Sequence, residues 1–206
     1  MFFGGEPNMA KNLNIDFFRI EGSTLQPQKG RILIAEPFLN DNYFKRSVVL
    51  LTEHGKEGTV GFVLNKPIDI AVPDIIEGFP SIDASVSIGG PVQTNTVHYI
   101  HTLGDLIPNS IPVLEGIYWG GDFDVLKELV LTGACTGSQI RFFVGYSGWK
   151  PKQLEGELEQ NAWIVADIKP EMVMKYTSES VWKKTLEKLG EKYRIWINTP
   201  ENPGLN

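Results

Sequence analysis

The chain has 206 residues, 42% of them hydrophobic and 11% aromatic, which supplies enough apolar surface to fill the core of one domain. Its formal charge of −6 disfavours generic nucleic-acid binding, because proteins that grip a phosphate backbone carry a basic face. Cys135 is the only cysteine, which excludes an intramolecular disulfide and a multi-cysteine zinc site and fits a reducing compartment, the cytoplasm.

The two ends and the overall organisation predict a single cytoplasmic domain spanning residues 1–206. The stretch 1–7 lacks the basic start and the apolar run of a secretory signal, and residues 1–12, interrupted by glycine and proline, are expected to be disordered. No 18 apolar residues occur in a row, so we expect no membrane span. The chain has no internal repeat, no low-complexity segment and no linker that would separate domains.

The sequence of the first half of the chain predicts short strands separated by turns. Apolar runs predict strands over 31–35, 47–52, 59–65, 85–88 and 97–101. The linker between the second and third runs holds Gly55 and Gly58, which can adopt positive φ, so these runs are predicted to pair as an antiparallel hairpin. A short helix is predicted over 73–79, and Gly89-Gly90-Pro91 predicts a turn.

The second half adds helices with clear boundaries. Strands are predicted over 117–119, 140–145 and 163–167, and helices over 123–131, after Pro151, and over 180–189. Asp122 is a good N-cap for the first helix, and Gly190 ends the last. The segment Tyr146-Ser147-Gly148-Trp149 is predicted to be a loop. The irregular alternation of elements, with at least one antiparallel pair, favours an α+β fold over a doubly wound parallel sheet.

None of the motifs typical of an enzyme is complete. Gly145-Tyr146-Ser147-Gly148-Trp149 approaches the G-x-S-x-G nucleophile elbow, but Trp149 replaces the last glycine. His98 and His101 lie three apart, which on a strand directs them to opposite faces and gives no support to a metal site. The glycine-rich loops match neither a Walker A nor a dinucleotide fingerprint, so we expect no metal and no cofactor.

Two arginines are candidates for anion binding. Arg46 precedes one apolar strand and Arg141 opens another, and the planar fork of an arginine can hold a carboxylate or a phosphate. Each can equally pair with a structural acid such as Asp41. Cys135 has no neighbouring base or basic cluster to lower its pKa and is expected to be inert.

Several ordered motifs together resemble the YqgE/AlgH family of bacterial proteins, over about residues 30–163. They are Gly30-Arg31-Ile32-Leu33-Ile34-Ala35-Glu36-Pro37; Asp41 with Phe44-Lys45-Arg46-Ser47-Val48-Val49; His54; Gly58; Gly61-Phe62-Val63-Leu64-Asn65-Lys66-Pro67; Gly89-Gly90-Pro91-Val92; His101; Gly120-Gly121-Asp122; and Gly145-Tyr146-Ser147-Gly148-Trp149 with Gln153-Leu154-Glu155.

The resemblance implies a cytosolic protein with a mixed, bifurcated β-sheet that includes a small barrel-like portion and is flanked by helices. It implies no known activity. Some members are labelled transcriptional regulators, but this sequence has no helix-turn-helix or basic recognition helix for direct DNA contact. Ser147 stands where the family commonly has alanine, and His98 where it usually has an apolar residue, which counts against serine or histidine-metal chemistry.

Three hypotheses for function follow. The first, which we favour, is a binding or regulatory module whose polar pocket near the hairpin holds a small anionic ligand or a protein partner's tail. The second is an enzyme that uses His54 or His101 as an acid or base. The third is transcriptional regulation, direct or indirect. The candidate pocket residues are Asp41, Arg46, His54, Asn65, Gly89, Gly90, His101, Arg141 and Trp149.

Overall fold

The computed structural model describes residues 25–39, 41–178 and 180–200. The predicted disordered stretch 1–12 lies outside the described residues. The helices of the described chain are α1 (Val72–Ile75), α2 (Phe123–Leu131), α3 (Gln153–Glu159), α4 (Pro170–Lys175), α5 (Val181–Leu189) and α6 (Arg194–Ile197). Its strands are β1 (Ile32–Ala35), β2 (Val48–Gly55), β3 (Gly58–Val63), β4 (Pro67–Ile68), β5 (Ser85–Ile88), β6 (Val92–His101), β7 (Ile111–Leu114), β8 (Ile117–Trp119), β9 (Ile140–Trp149) and β10 (Trp163–Ala166).

The strands form one mixed sheet in the order β10-β1-β2-β3-β9-β6-β8-β7, with β4 and β5 on a branch. The predicted hairpin is confirmed, because β2 and β3 pair antiparallel around the turn that joins Gly55 to Gly58. The described strand pairs are antiparallel except that of β5 with β9. The predicted α+β class is therefore confirmed, with helices flanking the sheet.

The sheet divides in two along β9, which confirms the bifurcation. The first half of β9 pairs in parallel with β5, from Ser85 opposite Arg141 to Ile88 opposite Val144, and the second half pairs antiparallel with β3. Gly145, at φ +65°, lies where the partner changes. The predicted loop over 146–149 is wrong, since these residues form the second half of β9. The glycines of that segment allow a bend inside a strand whose backbone remains paired.

Beyond the branch, the sheet curls without closing. Strand β7, at the far edge, returns towards the start of β1, where a Cβ at Gly30 would lie 2.9 Å from the Val113 carbonyl oxygen. Val113 and Ile117 pack in the same core cluster as Leu50 on β2. This curl is the barrel-like portion of an open sheet.

The C-terminal helices cover one face of the sheet. Trp182 on α5 is 1% exposed, and its indole Nε1 donates a 2.8 Å hydrogen bond to the Ala35 carbonyl oxygen on β1. Val181, Thr185 and Leu186 lie on the same buried face of this helix as Trp182. A fully buried side chain such as Leu186 contributes about 1.5–3 kcal/mol through the hydrophobic effect. The helical layer and the sheet therefore share one core.

The opposite face carries two smaller cores. Helix α3 covers the part built on β1, β2 and β10 through Leu154, whereas α1 and α2 cover the β5–β9–β6 branch through Val72 and Leu126. The predicted N-cap of α2 is confirmed, because the Asp122 carboxylate accepts from the Asp124 and Val125 amides at 3.1 and 3.2 Å. In the part of the chain that the structure describes, no helix combines the length and apolar character needed to cross a bilayer.

Candidate functional site

The predicted pocket residues occupy several separate places in the fold. His54 lies near the tip of the β2–β3 hairpin, where its Nδ1 is 2.8 Å from Thr59 Oγ1, whereas Arg46 and Asn65 lie at the other end of the same strands. Asp41 lies in the exposed loop before β2 and accepts from the backbone amides of Tyr43 and Phe44 at 2.8 and 3.0 Å. The structure therefore does not gather these four side chains into one pocket.

Asn65 completes the backbone hydrogen bonding where β2 and β3 separate. Its Oδ1 accepts from the Val48 amide at 2.8 Å, and its Nδ2 donates to the Arg46 carbonyl oxygen at 2.9 Å. The side chain is 1% exposed. Because buried backbone groups without partners are costly, these two bonds give Asn65 a structural role.

Arg46 connects the start of β2 to the C-terminal helices. Its Nη2 donates a 2.6 Å hydrogen bond to the Thr199 carbonyl oxygen, and its guanidinium carbon lies 5.0 Å from the centre of the Trp182 ring. The side chain is 8% exposed. Its position between the sheet and the helical layer stabilises their contact.

The hydrogen bonds of His101 fix its proton on Nε2. Since a carbonyl oxygen can only accept, the 3.0 Å contact between Nε2 and the Gly120 carbonyl requires Nε2 to donate. Nδ1 accepts from the Leu103 amide at 3.2 Å. Complete burial lowers the pKa of His101, although the bond to Gly120 opposes that shift. The neutral ring thus has no free lone pair with which to act as a base towards the neighbouring Ser110 hydroxyl.

Gly89 and Gly90 lie at the fork of the sheet, where backbones come too close for a side chain. A Cβ at Gly89 would overlap the Gly145 carbonyl oxygen, and one at Gly90 would overlap the Tyr146 backbone. The Gly89 carbonyl oxygen accepts from the Ser147 hydroxyl at 2.9 Å, and Ser147 is fully buried. The Ser147 hydroxyl therefore serves as a hydrogen-bond donor within the core.

Trp149 is anchored by a residue that the sequence analysis missed. Its Nε1 and that of Trp163 both donate to Oε2 of Glu157 on α3, at 2.9 and 2.7 Å. The two indole rings meet edge to face. Glu157 thus fixes α3 to β9 and β10, a role that depends on the pairing of distant strands.

Arg141 is a buried candidate residue whose positive charge is not paired with a carboxylate of the described residues. Its side chain is 1% exposed, yet it forms no ion pair with a carboxylate of the described residues. Nη1 donates to the Val173 carbonyl oxygen at 2.6 Å, and Nη2 donates to the Leu64 carbonyl oxygen and the Ser87 hydroxyl at 2.7 and 3.3 Å. Nε has no acceptor. Burial lowers the pKa of Arg141 to about 9.

A cleft of about 610 Å³ opens above this arginine. It lies beyond the N-terminal ends of the parallel strands β5 and β9, between two loops and the end of α4. Four hydroxyl groups contribute to its wall, together with apolar side chains and one carboxylate. The lining residues are Asp83, Ala84, Ser85, Thr136, Gly137, Ser138, Ile140, Arg141, Met174 and Thr177.

Sequence reasoning found Arg141 but not the residues around it. The lining comes from three segments, 83–85, 136–141 and 174–177, that only the β5–β9 pairing and the docking of α4 bring together. The Thr136-Gly137-Ser138 turn carries no motif by itself. Among the described residues, no three His, Cys, Asp or Glu side chains are grouped so that they could hold a metal ion.

Comparison with known proteins defines the class of this fold. The DUF179 profile, described as AlgH-like, matches residues 32–194. A UPF0301 protein of Bacteroides fragilis is 43% identical over 196 residues, covering 95% of this chain and all of the relative. A UPF0301 protein of Chlorobium luteolum is 45% identical over 177 residues, covering 86% and 94%.

Two solved structures share the fold. The solution structure of the AlgH protein from Pseudomonas aeruginosa superimposes with a TM-score of 0.67 and 25% identity, covering 85% of this chain and 98% of the other. The X-ray structure of protein DIP2367 from Corynebacterium diphtheriae gives a TM-score of 0.66 at the same identity, covering 85% and 94%. The chain thus belongs to the AlgH-like, UPF0301 family. The names of these relatives state no biochemical activity.

Proposed function

We propose that this AlgH-like protein is a cytoplasmic binding module that holds a small anionic ligand in the cleft above Arg141 and regulates through the bound state. The supporting observation is the buried guanidinium that has no carboxylate partner among the described residues. Although burial lowers its pKa, an arginine side chain remains charged at neutral pH. A buried charge that only neutral dipoles surround is costly, and an anion in the cleft would offset that cost.

The hydroxyl groups around the cleft support the same proposal. Ser85 lies directly beside Arg141 in the parallel strand pair, and Ser138 lies exposed on the opposite loop. The Ser138 hydroxyl lies 2.9 Å from that of Thr136, which itself donates to Oε1 of Gln139 at 3.2 Å. Hydroxyl groups donate hydrogen bonds to carboxylate or phosphate oxygens and can rotate to suit either. One cation with several neutral donors is a suitable arrangement for a small anion.

A purely structural role is the alternative for Arg141. In that case its bonds to Val173 and Leu64 would join α4 to the chain that follows β3. The two carbonyl oxygens, the Ser87 hydroxyl and the Phe143 ring, whose centre lies 5.2 Å from the guanidinium carbon, would then stabilise its charge. The two roles differ in one measurable respect, because only the ligand-binding role makes the stability of the protein depend on added anions.

Binding is a better account of the site than catalysis or direct DNA contact. The described lining of the cleft includes no histidine or lysine to act as a base, and the His101 nitrogens are both engaged elsewhere. The net charge of −6 opposes a phosphate backbone. An acidic tail of a protein partner would present a carboxylate to the same cation.

The test is a thermal-shift titration of the full chain with phosphate and with short carboxylates. A ligand at 100 times its dissociation constant stabilises the folded state by about 2.7 kcal/mol. For a chain of this size that corresponds to a rise in Tm of roughly 5–10 °C. Arg141→Gln should abolish the rise, whereas Arg31→Gln, at a half-buried arginine outside the cleft that pairs with Asp167, should retain it.

A second variant keeps the test decisive if Arg141→Gln does not fold. Ser138 is exposed on the cleft rim, so Ser138→Glu adds a negative charge without disturbing the core. We expect this variant to fold and to lose anion affinity. An anion could instead stabilise the wild type, the Arg141 variants (Arg141→Gln or Arg141→Lys) and Ser138→Glu to the same extent. That result would show that the anion binds elsewhere and would refute the proposal.

A further inference from the structure

The charged residues that line the Arg141 cleft are one cation and one anion. Arg141 lies beneath the floor, and Asp83 lies exposed at the rim. The other described lining residues carry hydroxyl groups, apolar side chains or none. The Asp83 carboxylate makes no hydrogen bond or ion pair with a described residue. The cleft is therefore electrically bipolar.

The strand pairing sets the separation of the two charges. Ser85 is the direct neighbour of Arg141, and Asp83 precedes it by two residues. Since an extended chain spans at most about 3.3–3.6 Å per residue, the Asp83 backbone lies at most about 7 Å farther along the chain, towards the mouth. The backbone of Asp83 is held in place there, because its carbonyl oxygen packs so closely on Gly137 that no Cβ could be placed at that glycine.

A dianion would fit this arrangement poorly. An anion drawn to Arg141 carries its charge towards a rim carboxylate, and an inorganic phosphate offers no positive group to pair with it. A simple carboxylate satisfies Arg141 but leaves Asp83 without a partner. A ligand with a cationic group at its outer end interacts favourably with both charges.

We propose that the ligand is a small zwitterion with its carboxylate directed to Arg141 and an amine directed to Asp83. The inference rests on the proposed function, since it assigns the ligand class of the same cleft. Met174 and Ile140 supply apolar wall against which linking methylene groups can pack. The separation of Ser85 from Asp83 favours an amine several bonds away from the carboxylate. Asp83 is the specificity-determining residue.

The experiment compares ω-amino acids with carboxylates of equal length, by calorimetric or thermal-shift titration. The probes are glycine, 4-aminobutyrate and 6-aminohexanoate against acetate, butyrate and hexanoate, with inorganic phosphate as the dianion. Because exposed ion pairs are weak, we expect the amine to improve affinity about two- to five-fold, most for the longer probes.

Asp83→Asn provides the direct test, with Asp69→Asn, at an exposed aspartate outside the cleft lining, as its matched control. Asp83→Asn should remove the advantage of 6-aminohexanoate over hexanoate, and hexanoate should bind equally well or better. Asp69→Asn should retain the advantage.

The outcomes separate this inference from the proposed function. If hexanoate and 6-aminohexanoate bind equally, or if phosphate binds better than either and Asp83→Asn changes no ratio, the zwitterion is refuted while Arg141-dependent anion binding stands. If no probe binds in an Arg141-dependent way, the proposed function itself fails, and the inference fails with it.

Discussion

Replacing Asn65 by alanine tests whether this residue has a structural or a ligand-binding role. The change removes the acceptor of the Val48 amide and the donor to the Arg46 carbonyl oxygen, both in a buried position. Each buried group left without a partner costs about 1–3 kcal/mol, so loss of the two should lower the free energy of unfolding by about 2–6 kcal/mol. The expected fall in Tm is about 4–24 °C.

The assay is urea unfolding followed by tryptophan fluorescence and by circular dichroism. Asn95→Ala is the matched control, since Asn95 is exposed on β6, and it should change the unfolding free energy by less than about 0.5 kcal/mol. An Asn65→Ala protein as stable as the control would refute the structural assignment and return Asn65 to the candidates for ligand contact.

Three further predictions concern Glu157, His101 and Arg141. Glu157→Ala leaves two buried indole N–H groups without their shared acceptor, so it should lower the free energy of unfolding by about 2–4 kcal/mol and shift the tryptophan emission. Glu157→Gln should retain most of the stability and most of the wild-type emission. An equal loss of stability in the two variants would contradict this account. Burial lowers the pKa of His101 in the folded state. As the pH falls, the unfolded chain therefore binds a proton at this residue at a higher pH than the folded chain does. The His101 contribution to stability is present above about pH 6.5 and is lost as the pH falls below that value. His101→Gln should flatten the pH dependence of urea unfolding between pH 6.5 and 5, and an unchanged slope would refute the assignment. Arg141 donates to a carbonyl oxygen of α4, so a saturating anion should slow amide hydrogen exchange in residues 170–177 relative to α2, and exchange unaffected by the anion would contradict that coupling.

Much of the sheet follows from local patterns, whereas its branch does not. Apolar runs identified β1, β5, β8 and β10 within a residue or so of their observed bounds, because short buried strands carry continuous hydrophobic sequences. The start of β6 was missed, since the polar stretch after Val92 pairs irregularly with β9. β7 was missed because it is a short edge strand that contains a proline.

The predicted loop at the end of β9 shows the main limit of local reasoning. Two glycines normally mark a turn, and Gly145 does adopt a positive φ, yet the chain continues as a strand because β3 pairs with its second half. The short α1 ends at Ile75 instead of continuing to residue 79. In both places, tertiary pairing and packing decided the outcome over the local signal.

The candidate site could be predicted only in part, because tertiary pairing also brings its residues together. Family motifs drew attention to Asn65, Gly89 and His101, all of which the structure places in backbone or core roles. Arg141 was identified as an anion-binding candidate from its residue type and its place at the start of a strand. Asp83 could not be identified, since its relation to Arg141 depends on a parallel pairing between strands more than fifty residues apart.

The most direct measurement of the central claim is the NMR signal of the Arg141 Nε–H group. This group is buried, so its proton should exchange slowly enough with water to be observed. Its assignment follows from the loss of the signal in Arg141→Lys. We predict that this resonance shifts saturably on titration with hexanoate or 6-aminohexanoate while that of Arg31 does not move. An Arg141 resonance that stays in place while an anion binds elsewhere, or while no anion binds, would contradict the account.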